Sequence, residues 1–249
     1  MLGGVTPFIS LVIPAFNEAS RLPEIIQQAR GALRAAFPGK EVQVVVCDNN
    51  STDGTGEAAR LSGAEVVFEP HNQIARARNT GARAARGEWL VFLDADTVLP
   101  AALAVEMAER LADERVGGGG AVVRFDTARL RWGPALVLAL WNTISRAGRL
   151  AAGSFIFCRR TDWEAVGGFD ERFYAAEELD FSRRLKRHLS GKGQRFTICR
   201  TPVLTSARKL EWNNDLQLLR LIPLALRPSR WRSREACAFW YVRPEGRSE

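Results

Sequence analysis

Cysteine, histidine and long apolar runs are scarce in this sequence, and each shortage removes a class of protein. The four cysteines, Cys47, Cys158, Cys199 and Cys237, stand far apart with no CxxC pair. That spacing argues against a zinc site and against a disulfide framework, and makes a reducing cytoplasm the simplest home. The two histidines, His71 and His188, form no spaced pair, so neither is assigned to a metal. The opening MLGGVTPFISLVIP has no basic region before its apolar stretch and turns polar at Asn17 and Glu18, which is unlike a signal peptide. The longest other apolar run, Pro134 to Trp141, falls far short of the roughly 20 residues a membrane span needs. No internal repeat or low-complexity linker interrupts the chain. A soluble or peripheral protein is expected.

With 249 residues and 46% apolar content, the chain can bury a substantial core, and one large α/β domain with or without an appended tail fits its length. The formal net charge of +7 suggests anionic partners such as nucleotides, lipid headgroups or nucleic acid, without choosing among them. The basic residues are scattered and no RNA-reading or helix-turn-helix signature stands out, so nucleic acid is not an expected partner.

The first half alternates β-rich runs with amphipathic stretches: ISLVIP, RLPEIIQQARGALRAAF, VQVVVC, GTGEAARLS, AEVVF, IARARNTGARAA and EWLVFL. Strand followed by helix, repeated, predicts a mostly parallel sheet with helices on both faces. Pro38 and Gly39, Asp53 and Gly54, and Gly87 punctuate the boundaries. Beyond Asp96 the order loosens. A helix is predicted from about Pro100 to Ala112, then a glycine run, Gly117 to Gly120, leading into AVVRF. Further helices follow near Ala135 to Ser145 and Glu177 to Leu189, with a strand at RFTIC.

In open parallel sheets, ligands bind beyond the carboxyl ends of the strands. Three strand ends here are polar: PAFNE (Pro14 to Glu18), CDNNSTDGT (Cys47 to Thr55) and DADT (Asp94 to Thr97). If the chain stays extended through Asp94–Ala95–Asp96, the two carboxylates project to one side and can face one ligand. Oxygen ligands suit Mg²⁺ or Mn²⁺, which hold substrate phosphates in their open positions. The simpler alternative is a strand-to-helix turn in which Asp96 or Thr97 caps the helix starting near Pro100.

PAFNE, DNNSTDGT, ARNTGARAARGEWLVFLDAD and GGFDERFYAAEELDFSRRLKR occur in the order and approximate spacing of the family 2 glycosyltransferases. The chain resembles a GT-A fold enzyme of that family over about Ser10 to Ser206. The resemblance implies an inverting transfer of a sugar from a nucleoside diphosphate donor, a UDP, GDP or TDP sugar, to an acceptor hydroxyl. It also implies a divalent cation, Mn²⁺ or Mg²⁺, on the diphosphate. By the same resemblance Pro14, Phe16, Asn17 and Glu18 border the nucleotide, Asp48 and Asn49 read the base, and Asp53 supports the loop or ribose. Arg78 lies beside the nucleotide, Asp94 and Ala95 approach the ribose or metal, and Asp96 is the direct metal ligand of the DxD motif. Residues 1–97 then form the nucleotide-binding half, 98–206 the acceptor-side half, and 207–249 an Arg- and Trp-rich helical tail.

Two positions depart from the family pattern. Asp48-Asn49 stands where two aspartates are common; a carboxylate only accepts hydrogen bonds, whereas an amide also donates, so the base identity stays open. A turn whose amides bond their own backbone is the competing account of Asn49 and Asn50. In the acidic motif EELD, Glu178 occupies the general-base position that is commonly aspartate, with Glu177 and Asp180 as competitors. Acids there also suit the first turn of a helix. Arg208 and Lys209 sit where relatives carry a loop that closes over the donor phosphates.

The tail LRLIPLALRPSRWRSREACAFWYVRP offers two readings: contact with the inner face of a membrane, which fits a lipid-linked acceptor, or packing against the domain. A sugar nucleotidyltransferase is a competing function, although its usual glycine-rich first loop is replaced here by AFNEAS. A catalytically degenerate nucleotide-sugar-binding protein is another.

Overall fold

β-branched runs separated by helical stretches build one mixed sheet. The computed structural model describes residues 6–127, 131–208, 228–237 and 241. The first half comprises β1 (Ile9–Ala15), α1 (Leu22–Ala36), β2 (Val42–Asp48), α2 (Thr55–Leu61), β3 (Glu65–Phe68), α3 (Ile74–Ala84) and β4 (Trp89–Leu93). Then come β5 (Thr97–Val98), α4 (Ala101–Leu111), β6 (Val116–Phe125), α5 (Trp132–Gly148), β7 (Phe155–Arg159) and α6 (Arg160–Ala165). They are followed by α7 (Glu177–Gly191), β8 (Arg195–Thr205) and a 3-10 turn at Pro228–Arg232.

The strands lie in the order β3-β2-β1-β4-β7-β6-β8-β5. β3, β2, β1 and β4 are mutually parallel, as the alternation predicts, and β6 and β8 are parallel to each other. β7 runs against β4 and β6, and β5 runs against β8. The chain leaves β1 toward β2 and β3, then returns to β4 on the other side of β1. That reversal opens a crevice beyond the carboxyl ends of β1, β2 and β4.

Side-chain alternation divides the core between the two faces. Ile9, Leu11, Ile13, Val44, Val46, Trp89, Val91 and Leu93 pack with Ile26, Leu33, Leu103 and Met107 of α1 and α4. Val12, Leu90 and Phe92 point the other way, onto Ala75 and Ala82 of α3 and Phe181, Leu185 and Leu189 of α7. A fully buried phenylalanine such as Phe92 contributes about 1.5–3 kcal/mol. The faces thereby fix α3 and α7, which carry Arg78 and the EELD acids, on one side of the sheet.

Several local expectations change. The glycine run lies inside β6 rather than before it. A Cβ on Gly119 would come within 2.5 Å of Phe157 and of the Thr197 carbonyl, and one on Gly120 within 2.5 Å of Ala151. Close approach of neighbours, not a turn, therefore requires glycine there. RFTIC is the start of a longer strand, β8. The two residues of β5, five of β7 and six of α6 are too short for periodicity to reveal.

The DAD segment is not extended. Thr97 N donates to Asp94 O at 3.0 Å, closing a turn over Ala95 and Asp96. The two carboxylates are consequently not arranged by strand alternation. Nor does Asp96 or Thr97 cap α4, whose N-cap is Pro100 with no side-chain cap bond. Thr97 instead joins β5 and bonds Thr205 Oγ1 at 3.1 Å.

Candidate active site

The loops after β1 and β2 converge and are stitched together by their own polar groups. Asn17, at φ +52°, accepts from Thr52 N at 2.8 Å through Oδ1, while its N–H donates to Ser51 Oγ at 3.0 Å. Glu18 N donates to Thr55 Oγ1 at 2.9 Å and Ala19 N to Asp53 Oδ2 at 3.0 Å. Burial works against charge on Asp53, but the Thr55 hydroxyl and the Ala19 and Thr55 amides outweigh it and hold the carboxyl below its usual range. Pro14, at the end of β1, and Phe16 beyond it are partly exposed at this junction.

Asp48 Oδ1 accepts from Ser51 N at 3.0 Å, and a Cβ on Gly56 would lie 2.7 Å from its Oδ2. Asn49 is buried, with its amide committed to the next loop. Nδ2 donates to Glu69 O at 3.1 Å and His71 O at 2.6 Å, and Oδ1 accepts from Gln73 N at 2.9 Å. These partners lie in the loop after the neighbouring strand β3 rather than in Asn49's own turn. The positive φ in that turn, +65°, belongs to Asn50.

Arg78 forms the centre of the second cluster. It is 2% exposed, pairs with Glu177 on α7, and donates to Asp94 Oδ1 at 2.9 Å and Gly153 O at 3.0 Å. Burial works against this charge, but Asp94, Glu177 and Glu178 outweigh it and hold the guanidinium above its usual range. Glu177, itself 4% exposed, is thus a locked partner. Asp180 is occupied by Arg184, whose Nε donates to it at 2.7 Å.

Glu178 is the acid of the three whose charge is least supported. Burial first, then the neighbouring Glu177 charge, push its carboxyl up to about 8 against the opposing pull of Arg78. It sits in the first turn of α7, after Ala176 at φ +61°. A non-glycine residue in that conformation stores strain, a feature concentrated at functional sites.

The third cluster surrounds the DAD turn. Ala95 is buried and Asp96 partly exposed. Among the described residues the Asp96 carboxylate accepts one hydrogen bond, from Thr97 Oγ1 at 3.2 Å, while its carbonyl accepts from Ser206 N at 3.2 Å. Arg208 clasps Glu18 with contacts of 2.9 and 2.8 Å and reaches Ser206 Oγ at 3.3 Å. The sequence-predicted Glu18, Asp96 and Arg208 are thereby gathered at one rim. Lys209 lies outside the described residues.

Among the described residues, no three His, Cys, Asp or Glu side chains gather to hold a metal ion. Mg²⁺ and similar hard cations are commonly bound by one or two carboxylates plus substrate phosphates, not by an all-protein cage. The oxygen of Asp96, partly exposed and lightly bonded, fits that second arrangement. Asp94 is shared with Arg78, which offsets its charge.

Other residues escaped the sequence reading. Asn79 bonds Phe169 through both N–H and carbonyl at 2.9 and 2.8 Å, and Glu171 accepts from Asn79, Arg76 and Arg83. The ARNTG and GGFDER motifs are therefore mutual partners. Trp231, Cys237 and Tyr241 pack on Phe173, Tyr174 and Ala175. This part of the tail lies against the domain; residues 209–227 are outside the described set. No helix among the described residues is long and apolar enough to cross a membrane.

The mixed sheet flanked by helices is consistent with a GT-A-like nucleotide-sugar transferase fold, and its polar loops gather at the switch point, where open α/β sheets bind their ligands. Residues 10–161, more than half the chain, match the family model "Glycosyl transferase family 2", and the chain belongs to that family. It is 39% identical over 97 residues to Glycosyltransferase AglE of Haloferax volcanii, covering 36% of this chain and 31% of that one. It is 33% identical over 142 residues to an undecaprenyl-phosphate 4-deoxy-4-formamido-L-arabinose transferase of Pseudomonas paraeruginosa, covering 52% and 40%. The succinoglycan biosynthesis protein ExoA of Rhizobium meliloti is 28% identical, covering 70% and 57%. The chain thus spans less than two thirds of these relatives' lengths.

Among solved structures, the mannosyltransferase PcManGT from Pyrobaculum calidifontis, in complex with GDP-Man and Mn²⁺, superimposes with TM-score 0.62 at 21% identity, covering 96% of this chain and 71% of that one. Mannosyl-3-phosphoglycerate synthase from Rubrobacter xylanophilus gives TM-score 0.62 at 19% identity, covering 95% and 76%. These likenesses carry the fold alone.

Proposed function

We propose that the protein transfers a sugar from a nucleoside diphosphate donor to an acceptor hydroxyl with inversion, using Glu178 as general base. The observation that carries this reading is the division of labour between adjacent acids. Glu177 is neutralised by Arg78, whereas Glu178 is left with a carboxyl raised to about 8. A base poised near working pH combines a useful ionised fraction with a useful proton affinity.

The acceptor oxygen attacks the anomeric carbon, the bond to the nucleoside diphosphate breaks, and the acceptor proton passes to the Glu178 carboxylate. Pro14, Phe16, Asn17, Glu18 and Asp48 border the nucleotide. Asn49 and Asp53 act by holding the loops that shape its pocket, consistent with their bonds to the Glu69–Gln73 segment and to Ala19. Arg208, freed from or retained on Glu18, faces the diphosphate side beside Ser206.

Asp96, with Asp94 and Ala95 shaping the turn, would hold a divalent cation, Mn²⁺ or Mg²⁺. When bound, such a cation neutralises charge on the departing diphosphate. Structures of this fold are solved in complex with GDP-Man and Mn²⁺ and with UDP and Mn²⁺ or Mg²⁺, and the donor class proposed here follows them by analogy of fold. The undecaprenyl-phosphate relative supports a lipid-linked acceptor and work at the inner face of a membrane.

The test is a thermal-shift panel of UDP, GDP, TDP and their sugars with Mn²⁺, Mg²⁺ or chelator, since ligand binding raises native stability. A cation-dependent shift for one nucleoside supports the reading and identifies the base. No shift with any donor would sink it. Liposome co-sedimentation of the full chain addresses the membrane: failure to pellet with anionic vesicles would remove that part.

A further inference from the structure

Gln73 occupies the N-cap position of α3 but makes no side-chain cap bond. Short side chains such as Ser, Asp or Asn are preferred at that position because they reach back to the first free N–H groups. Gln73 instead extends away from its helix. Although only 3% exposed, its Nε2 donates both hydrogens to the acceptor-side loop, to Glu171 O at 2.7 Å and Phe173 O at 2.9 Å. Its Oε1 accepts from Arg76 Nε at 3.0 Å, and its backbone N–H donates to Asn49 Oδ1 at 2.9 Å.

An uncapped helix start needs another acceptor for its free N–H groups. Tyr241 supplies one. Its hydroxyl accepts from Ile74 N at 3.4 Å and donates to Tyr174 O at 3.0 Å. The same loop is gripped from below by Trp231 O, which accepts from Tyr174 N at 2.7 Å and Ala175 N at 3.3 Å. Asn49, Gln73 and the 171–175 loop therefore form one continuous hydrogen-bonded chain. It begins beside Asp48 on the nucleotide side and ends one residue before Ala176, which leads into Glu177 and Glu178.

We propose that Gln73 is a positioning residue that couples nucleotide occupancy beside Asp48 and Asn49 to the loop 171–176 carrying the base helix. The coupling rests on the donor reading above. Nucleotide binding steadies the Asn49 loop, Gln73 transmits that order because its amide has no free hydrogen left to rearrange, and the acceptor loop becomes less mobile. Tyr241 acts in parallel from the tail. A buried polar network with every member bonded transmits such ordering well, since breaking any link exposes an unpaired group.

The experiment is hydrogen exchange on the full chain, with and without UDP and GDP in turn, each with Mn²⁺, comparing wild type, Gln73→Leu and Tyr241→Phe. In the wild type the nucleotide that raises Tm should slow exchange across 171–176 by about tenfold. Gln73→Leu should bind that nucleotide within about threefold of wild type yet lose this protection. Tyr241→Phe, which deletes one oxygen and leaves no large cavity, should lose part of it and keeps the test open if Gln73→Leu folds poorly. A nucleotide that binds wild type without slowing 171–176 overturns the coupling, as does undiminished protection in both variants. A chain whose Tm responds to neither nucleotide overturns the donor reading first, and the coupling with it, so the two failures are told apart by the Tm.

Discussion

Arg78 on α3 and Glu177 at the start of α7 form an ion pair across 99 residues of sequence, with both side chains almost wholly buried. The same guanidinium holds Asp94 after β4, so one cation joins the helix of the proposed base to the DAD turn. Two carboxylates share a charge that can fully compensate only one.

Removing Arg78 should therefore be costly to the fold as well as to function. Breaking a buried ion pair from one side costs about 3–5 kcal/mol, because the remaining charge is left uncompensated. Arg78→Met should lower Tm by roughly 6–20 °C at this chain length. Arg78→Lys keeps the charge but cannot span Glu177, Asp94 and Gly153 at once, and should recover only part of the loss. Thermal unfolding of both variants checks this; a Tm within about 2 °C of wild type for Arg78→Met would refute the central role of the pair.

Glu178→Gln should separate stability from activity. The Glu178 carboxyl is raised from 4.5 to about 8 in the folded protein, so the native state binds its proton more tightly than the unfolded chain. Wild-type stability from this group is therefore full below the unfolded value, declines as pH rises between the two values, and levels off above about 8. The neutral glutamine removes that decline. The Tm advantage of Glu178→Gln should grow from pH 5 to pH 8 while transfer falls by about 10²–10⁴-fold. Wild-type transfer should rise with pH through the same range. Normal transfer by the variant would shift the base assignment away from Glu178.

The first half was legible because its periodicities are long: four parallel strands and three helices follow from alternation and glycine placement. Glu18 meets Arg208 across 190 residues, a pairing that neither motif states by itself. What the sequence hid is direction and partnership. Nothing in FIFCR says that β7 runs against β4, and DADT looks extended although a backbone bond from Thr97 to Asp94 bends it. EELD presents three acids alike; only the location of Arg78 and Arg184 tells them apart. A glutamine at a cap position was the one local oddity that could have revealed Gln73.

Asp96→Asn should abolish the cation dependence of nucleotide binding while leaving the fold intact. Its carboxylate is partly exposed and among the described residues accepts one side-chain bond, so the amide replaces it without stranding a buried charge. Stability changes at such positions stay within about 0.5 kcal/mol. Calorimetric titration of the nucleoside diphosphate with Mn²⁺ and with chelator should give the same affinity in the variant and different affinities in wild type. Retained cation dependence would move the ligand role to Asp94.

Asn49→Asp tests whether position 49 reads a base or builds the pocket wall. The Asn49 amide nitrogen donates to two carbonyls, Glu69 O and His71 O, at 3.1 and 2.6 Å. A carboxylate has no hydrogen to offer either, so its second oxygen would face two acceptors inside a site that is 4% exposed. Losing those partners costs about 1–3 kcal/mol, and more for a charged group. Asn49→Asp should therefore lower Tm in the absence of any nucleotide and speed hydrogen exchange at His71 and Gln73. If the residue served only to read the base, the free protein would be unaffected and nucleoside preference alone would change. Unfolding curves without ligand distinguish the two: an unchanged midpoint would return Asn49 to base recognition, and a lowered one assigns it to the wall.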